Sequence, residues 1–138
     1  MFEVEAWVDG ACSGNPGPMG AGVVLKCGNR IRKIACYLGA GTNNRAEMLA
    51  VVIALEALKN RQNSHVKLFT DSALVCGIFE GWRLKQNLDL VQRIKELVVE
   101  CGKFEIVKVK GHAEVELNEE ANRLAVKAAR GIEVDEKK

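Results

Sequence analysis

A chain of 138 residues, 48% of them hydrophobic, carries enough apolar material for one core and leaves no length for a second domain of ordinary size. Lys and Arg number 20 against 18 Asp and Glu, a formal charge of +2, so the whole-molecule field does not identify a polyanionic partner and any site for one has to be local. Cys12, Cys27, Cys36, Cys76 and Cys101 are odd in number and form no CxxC pair, which reads as reduced thiols; with no basic-then-apolar leader and no apolar run near the ~18 residues of a bilayer span, the cytoplasm is the expected compartment and no membrane contact is expected.

Phe2 to Val8 alternates apolar with polar or amphipathic residues, the period of a strand, and stops at Asp9-Gly10 before a turn-rich run from Ala11 to Gly22. Gly22 to Lys26 and Ile31 to Leu38 follow as two β-rich runs around the turn signal Gly28-Asn29, which predicts an antiparallel meander. From Thr42 the period changes. Ala46, Leu49, Ala50, Ile53, Ala54, Ala57 and Leu58 recur at three- and four-residue steps and predict an amphipathic helix ending near Asn60. Val66 to Thr70 reads as a strand, Asp71-Ser72 as the cap of a helix to about Phe79, and Leu90 to Cys101 as another helix. Phe104 to Val109 is the last expected strand and Leu117 to Ala128 the last helix. The order βββαβααβα predicts an α/β fold: a mixed five-stranded sheet, an antiparallel meander plus parallel strands, with helices on both faces. A single domain over residues 1–132 and a frayed, charged tail over 133–138 complete the expectation.

Three carboxylates stand out by position. Asp9 alone is a common turn residue, Glu47 lies three residues after Asn44 as in a capping box, and Asp71 alone is an ordinary N-cap. Asp9 and Asp71 nevertheless both close predicted strands, where open α/β sheets place their ligands. If the helix bearing Glu47 packs over those ends, three anions converge and need cations to offset their repulsion. Hard oxygen ligands select Mg²⁺ or Mn²⁺, and a pair of such ions about 4 Å apart suits in-line phosphodiester hydrolysis without a nucleophilic side chain.

The segments Asp9 to Gly22, Thr42 to Ala50, Thr70-Asp71-Ser72 and Val109 to Ala113 resemble, in order and spacing, the signature segments of type 1 ribonuclease H, and together they span nearly the whole chain. The resemblance implies a ribonuclease H-like fold and an endoribonuclease that cuts the RNA strand of an RNA/DNA hybrid with two divalent ions, leaving a 5′-phosphate and a 3′-hydroxyl. It implies metal-binding roles for Asp9, Glu47 and Asp71, and proton movement or product departure for His112. The glycine loop with Gly10 and Cys12, and the pair Asn43-Asn44, match segments that meet the hybrid's minor groove, where amides and exposed backbone pair with 2′-hydroxyls. Asn15 and Thr42 match a phosphate pocket for the DNA strand, and Trp82 an aromatic against the DNA sugars, with Asn87 in the same substrate-facing segment. Taken alone, the loop is an ordinary turn, His112 an exposed histidine and Trp82 a core residue.

The chain departs from the pattern at the fourth acid, where Asn122 stands instead of aspartate. An amide offers a carbonyl oxygen without charge and so holds a cation more weakly. Asn122 is therefore a neutral working ligand, an engineered replacement, or the mark of a domain that binds hybrids without cutting them; a DNA nuclease or resolvase on the same scaffold is a further alternative. Glu119, one turn earlier, is read as solvated surface. The segment Gly81 to Asn87 is short where relatives carry a basic extension, leaving Arg83 and Lys85, and Ala73 replaces a polar contact. A monomer with no obligate protein partner is expected.

Overall fold

The computed structural model describes residues 1–109 and 115–137. Its elements are β1 (Phe2–Cys12), β2 (Gly17–Cys27), β3 (Arg30–Gly41), α1 (Asn43–Glu56), β4 (Ser64–Thr70), α2 (Ala73–Phe79), α3 (Leu88–Val99), β5 (Lys103–Lys108), α4 (Val115–Ala129) and β6 (Val134–Lys137). One mixed sheet runs in the order β5-β4-β1-β2-β3-β6. β1 pairs in parallel with β4, and β4 with β5, whereas β1-β2, β2-β3 and β3-β6 are antiparallel. The meander and the parallel crossovers expected from the sequence are both present. Among the described residues no helix is long and apolar enough to cross a membrane.

The period-two pattern of β1 sorts its side chains between two cores. Val4, Ala6 and Val8 join Val23, Leu25, Met48, Val51 and Leu55 in the core under α1, which α3 closes with Leu90, Ile94 and Leu97. Trp7, one residue out of phase, faces the other way with Val24, Phe69, Ala121, Leu124 and Ala128 under α4. Trp7 and Phe69 are register partners on β1 and β4 and their rings stack at 3.9 Å, a cross-strand pair that locks the parallel register. The sheet thus sits between α1 and α3 on one face and α4 on the other.

Two departures from the sequence reading have physical causes. The glycine-rich run after Asp9 reads as loop, yet β1 continues to Cys12 and β2 begins at Gly17, with a register irregularity at Met19/Gly20. Its glycines serve close packing instead: a Cβ on Gly22 would meet the Ala121 carbonyl oxygen at 1.9 Å, and one on Gly20 the Ala125 carbonyl oxygen at 2.3 Å. The second correction is the tail, expected to fray, which contains a sixth strand. Gly131, at φ +89°, follows α4 and lets the chain reverse. β6 then pairs Val134 with Ala35 and Asp135 with Ile34, and Arg32 holds Asp135 through two hydrogen bonds of 2.9 Å. Its polarity hides it from a hydrophobic-period reading, because an edge strand needs backbone partners more than an apolar face.

The seat of α4 on bare glycine backbone gives a direct test. Gly22→Ala should lower the unfolding free energy by about 2–3 kcal/mol, the cost of overpacking a well-filled interior. Urea denaturation measures it, and a change below about 0.5 kcal/mol would contradict the close packing of α4 on β2.

Candidate active site

The register of β1 and β4 assembles the site. Trp7 lies opposite Phe69, so two residues further on Asp9 and Asp71 leave the sheet side by side at the carboxyl ends of parallel neighbours. Asp9 shares the parity of Trp7 and turns toward α4, where its Oδ2 accepts a hydrogen bond of 2.8 Å from the Asn122 side-chain nitrogen. A carboxylate only accepts, so this contact requires the amide to present its nitrogen.

Glu47 reaches the same point from the opposite helix, and Gly10 makes that possible. A Cβ on Gly10 would lie 2.4 Å from the Ala46 carbonyl carbon and 2.4 Å from the Glu47 nitrogen, so only glycine lets the first turns of α1 rest on the end of β1. The Gly10 amide then donates to Asp9 Oδ1 and to Glu47 Oε1, each at 2.9 Å. One backbone N–H bridges the carboxylates of a strand and a helix. Asp9 is 5% and Glu47 9% exposed, while Asp71 is exposed at the rim. The three offer ligand oxygens that all lie within 4.8 Å of one another.

This geometry reshapes the acids. Glu47 is pushed up to about 9, by burial first, then by the hydrogen bond and charge of Asp9, against the opposing Gly10 amide. Asp71 is raised by burial and the charge of Asp9, with the Asn118 side chain and Lys108 pulling the other way. A carboxyl that retains its proton at neutral pH because burial and a neighbouring carboxylate disfavour its charge is a carboxyl that a cation would ionise. The donor set therefore fits a hard divalent ion: carboxylate oxygens, no sulfur, and an amide at the edge.

The carboxylates sit in an open cleft of about 500 Å³ lined by Asp9, Gly10, Asn43, Asn44, Glu47, Asp71 and Asn122, with Ser72, Ala73 and Leu74 continuing the wall from Asp71. Most of the residues singled out in the sequence thus converge. Thr42 caps α1 by accepting from the Arg45 amide at 3.2 Å, and Asn15 Oδ1 accepts from the Asn43 amide at 3.0 Å, tying the β1–β2 loop to the start of α1. Cys12 sits beneath, its thiol donating to the carbonyls of Gly17 and Gly41 at 3.5 and 3.3 Å. Here it acts as a tie between strands β2 and β3.

Trp82 and Asn87 lie outside this cleft. Trp82 is 52% exposed and lies over Gly77, where a Cβ would strike its ring, so it is a surface aromatic seated on a helix and not a core residue. Asn87 adopts a left-handed conformation, φ 57°, before α3 and accepts from Arg45 at 3.1 Å; with Asn44 it lines an adjoining hollow. His112 lies outside the described residues. Glu119 is exposed. Asn118, which the sequence reading passed over, is the residue of α4 beside Asp71; its spacing of four from Asn122 was the available signal.

The family model for RNase H matches residues 2–130. The ribonuclease H of Syntrophotalea carbinolica is 40% identical over 138 residues, covering 91% of this chain and 90% of that protein. Among solved structures, RNase H1 from the halophilic archaeon Halobacterium salinarum superposes with a TM-score of 0.82 at 31% identity, covering 94% of this chain and 99% of that one. LC11-RNase H1, solved in complex with an RNA/DNA hybrid, gives a TM-score of 0.78 at 26% identity, covering 93% and 97%.

The raised Glu47 carboxyl sets a pH signature. A group whose folded value exceeds its unfolded value stabilises the fold fully below the unfolded value and ceases to do so as pH climbs through the folded one. In chelator, the stability of the chain should fall between pH about 4.5 and about 9. Saturating Mg²⁺, which favours the ionised form, should flatten that decline, and so should Glu47→Gln. Urea titrations at several pH values read it out; stability in chelator that is level or rising over this range would refute the assignment.

Proposed function

This chain belongs to the ribonuclease H family, and we propose that it is an endoribonuclease that hydrolyses the RNA strand of RNA/DNA hybrids in the cleft between α1 and α4, leaving a 5′-phosphate and a 3′-hydroxyl. The observation that carries this reading is the convergence of Asp9, Glu47 and Asp71 within 4.8 Å, two of them buried beside one bridging backbone amide. Residues 1–132 are read as the catalytic unit, working as a monomer without an obligate protein partner in the reducing cytoplasm, in keeping with the free thiols among the described residues.

Asp9, Glu47 and Asp71 would hold divalent ions, Mg²⁺ or Mn²⁺ and two in number, with Asn122 as a neutral fourth ligand through its carbonyl oxygen. Bound there, such ions supply Lewis-acid activation of water and neutralise charge on the reacting phosphodiester. The protein's own part is positioning. The sheet ends and α1 hold the carboxylates in place before substrate arrives, so no reorganisation is required at the moment of reaction. Asn122 orients Asp9 by its 2.8 Å hydrogen bond, and Asn118 steadies Asp71 from the same helix face. His112, beyond the described residues, is assigned to proton movement or product departure.

Selection for RNA rests on the cleft wall. Gly10, Asn43 and Asn44 border the carboxylates, and their backbone and amide groups match the donor and acceptor character of a 2′-hydroxyl. Asn15 and Thr42, linked to the start of α1, would take a phosphate of the DNA strand. Cys12 braces that loop, and Trp82 with Asn87 would extend the contact along the DNA strand, the exposed indole meeting its sugars. A DNA nuclease has no use for the asparagine pair.

Four labelled substrates test the assignment: RNA/DNA hybrid, duplex RNA, duplex DNA and single-stranded RNA, each with Mg²⁺, Mn²⁺ or chelator. Only the RNA of the hybrid should be cut, and chelator or Asp9→Asn should abolish cutting by about a hundredfold or more, the usual scale for removing a group that stabilises developing charge. Asn122→Asp should retain or raise activity. Hybrid binding without turnover in either metal would identify a non-cleaving hybrid-binding domain, and cutting that prefers all-DNA substrate would overturn the reading.

A further inference from the structure

Asn87 is an unusual start for a helix. It holds the N-cap of α3 at φ 57°, the one non-glycine residue with a positive φ among the described residues, a conformation that costs any L-residue free energy and asparagine less than most. Its carbonyl accepts from the amides of Leu90 at 3.0 Å and Val91 at 3.1 Å. Its side chain, which from an N-cap ordinarily accepts from a first-turn amide, makes no capping bond. Two local sources of stability are given up at one residue, and an observed backbone cost of this kind points to a task elsewhere.

The side chain goes to Arg45 instead. Its guanidinium, on the first turn of α1 beside Asn44, forks onto both oxygens of Asp89 at 3.2 and 2.8 Å and donates to Asn87 Oδ1 at 3.1 Å. The fork on Asp89 leaves the planar group one orientation. A guanidinium donates and never accepts, so Asn87 has to turn its oxygen toward Arg45 and its nitrogen away. Asn87 lines a hollow of about 220 Å³ together with Asn44, Leu74 and Lys85, and no carboxylate borders it. Asn44 and Leu74 also line the carboxylate cleft, so the hollow adjoins the place where the strand is cut.

We propose that Arg45 is a positioning residue for substrate: forked on Asp89, it fixes the Asn87 side chain so that the amide nitrogen is presented to an acceptor oxygen of the bound strand. This rests on the hybrid-binding reading above and supplies the device that sets Asn87 in place. The left-handed backbone aims the Asn87 side chain across to α1, Asp89 aims the guanidinium, and the amide orientation follows from both. The charge of Arg45 is matched by Asp89, so the arginine acts on substrate through the amide and not as a counterion. A donor held in advance binds better than one ordered on arrival, because the entropy of fixing it is already met by the fold.

Fluorescence anisotropy with labelled RNA/DNA hybrid tests this in the Asp9→Asn background with Mg²⁺, where the strand stays uncut. Arg45→Ala should lower affinity about fivefold, the scale of one lost hydrogen bond. Asn87→Gly, which keeps the left-handed backbone without strain, should do the same. The double variant should again lose only about fivefold, well short of the roughly twenty-fivefold of independent sites, because the arginine works through the amide. The slope of log affinity against log salt should match the parent in Arg45→Ala, whereas loss of a direct phosphate contact makes it shallower by about 0.9. An additive loss in the double variant, a shallower slope, or single variants that bind as the parent does would each overturn the proposal and leave the function it rests on standing. A parent without affinity for hybrid would overturn both.

Discussion

The structure is organised around holding like charges together. Carboxylate oxygens within 4.8 Å of one another repel by about 3–4 kcal/mol or more at an effective dielectric near 20. Keeping a proton at pH 7 on a carboxyl of ordinary value 4.5 costs about the same, near 1.4 kcal/mol for each pH unit. The two being comparable, burial tips the balance, and Glu47 keeps its proton until a cation takes over the task. The fold therefore stores the site in a form poised to exchange a proton for a metal ion, and its cores have to resist the repulsion meanwhile.

That resistance comes from places where a helix meets bare backbone. Gly10 lets α1 close on β1, and Gly20 with Gly22 lets α4 close on β2. Each contact delivers one side chain of the cleft: Glu47 follows Ala46 across Gly10, and Asn122 follows Ala121 across Gly22. Positions of the acids are thus set by backbone separations, which deform less than side-chain rotamers do. The stacked pair Trp7 and Phe69 fixes the third relation, the register of Asp9 against Asp71. Three packing contacts determine one cleft.

This also explains what the sequence disclosed and what it concealed. Periodicity revealed the meander, the crossovers and the helices, because each buries one face or one stripe. Asp9 and Asp71 were legible as strand-end residues, and Glu47 as a helix start, with the order of motifs linking them. The glycines of the run after Asp9 misled, since a glycine that admits a helix and one that makes a turn look alike until the partner is known. β6 was hidden by its charge, and Asn118 by having no partner in the sequence to mark it.

Asn122 changes the charge balance of the cleft in a definite direction. Where a fourth carboxylate would add negative charge to the cleft, an amide adds none and leaves the three acids alone. Asn122 itself remains tied to Asp9 by its nitrogen, so it preserves the position of that carboxylate while declining to add charge. A neutral residue here gives the cleft a weaker electrostatic hold on a divalent cation than an aspartate would, because an amide oxygen carries no charge to offset it.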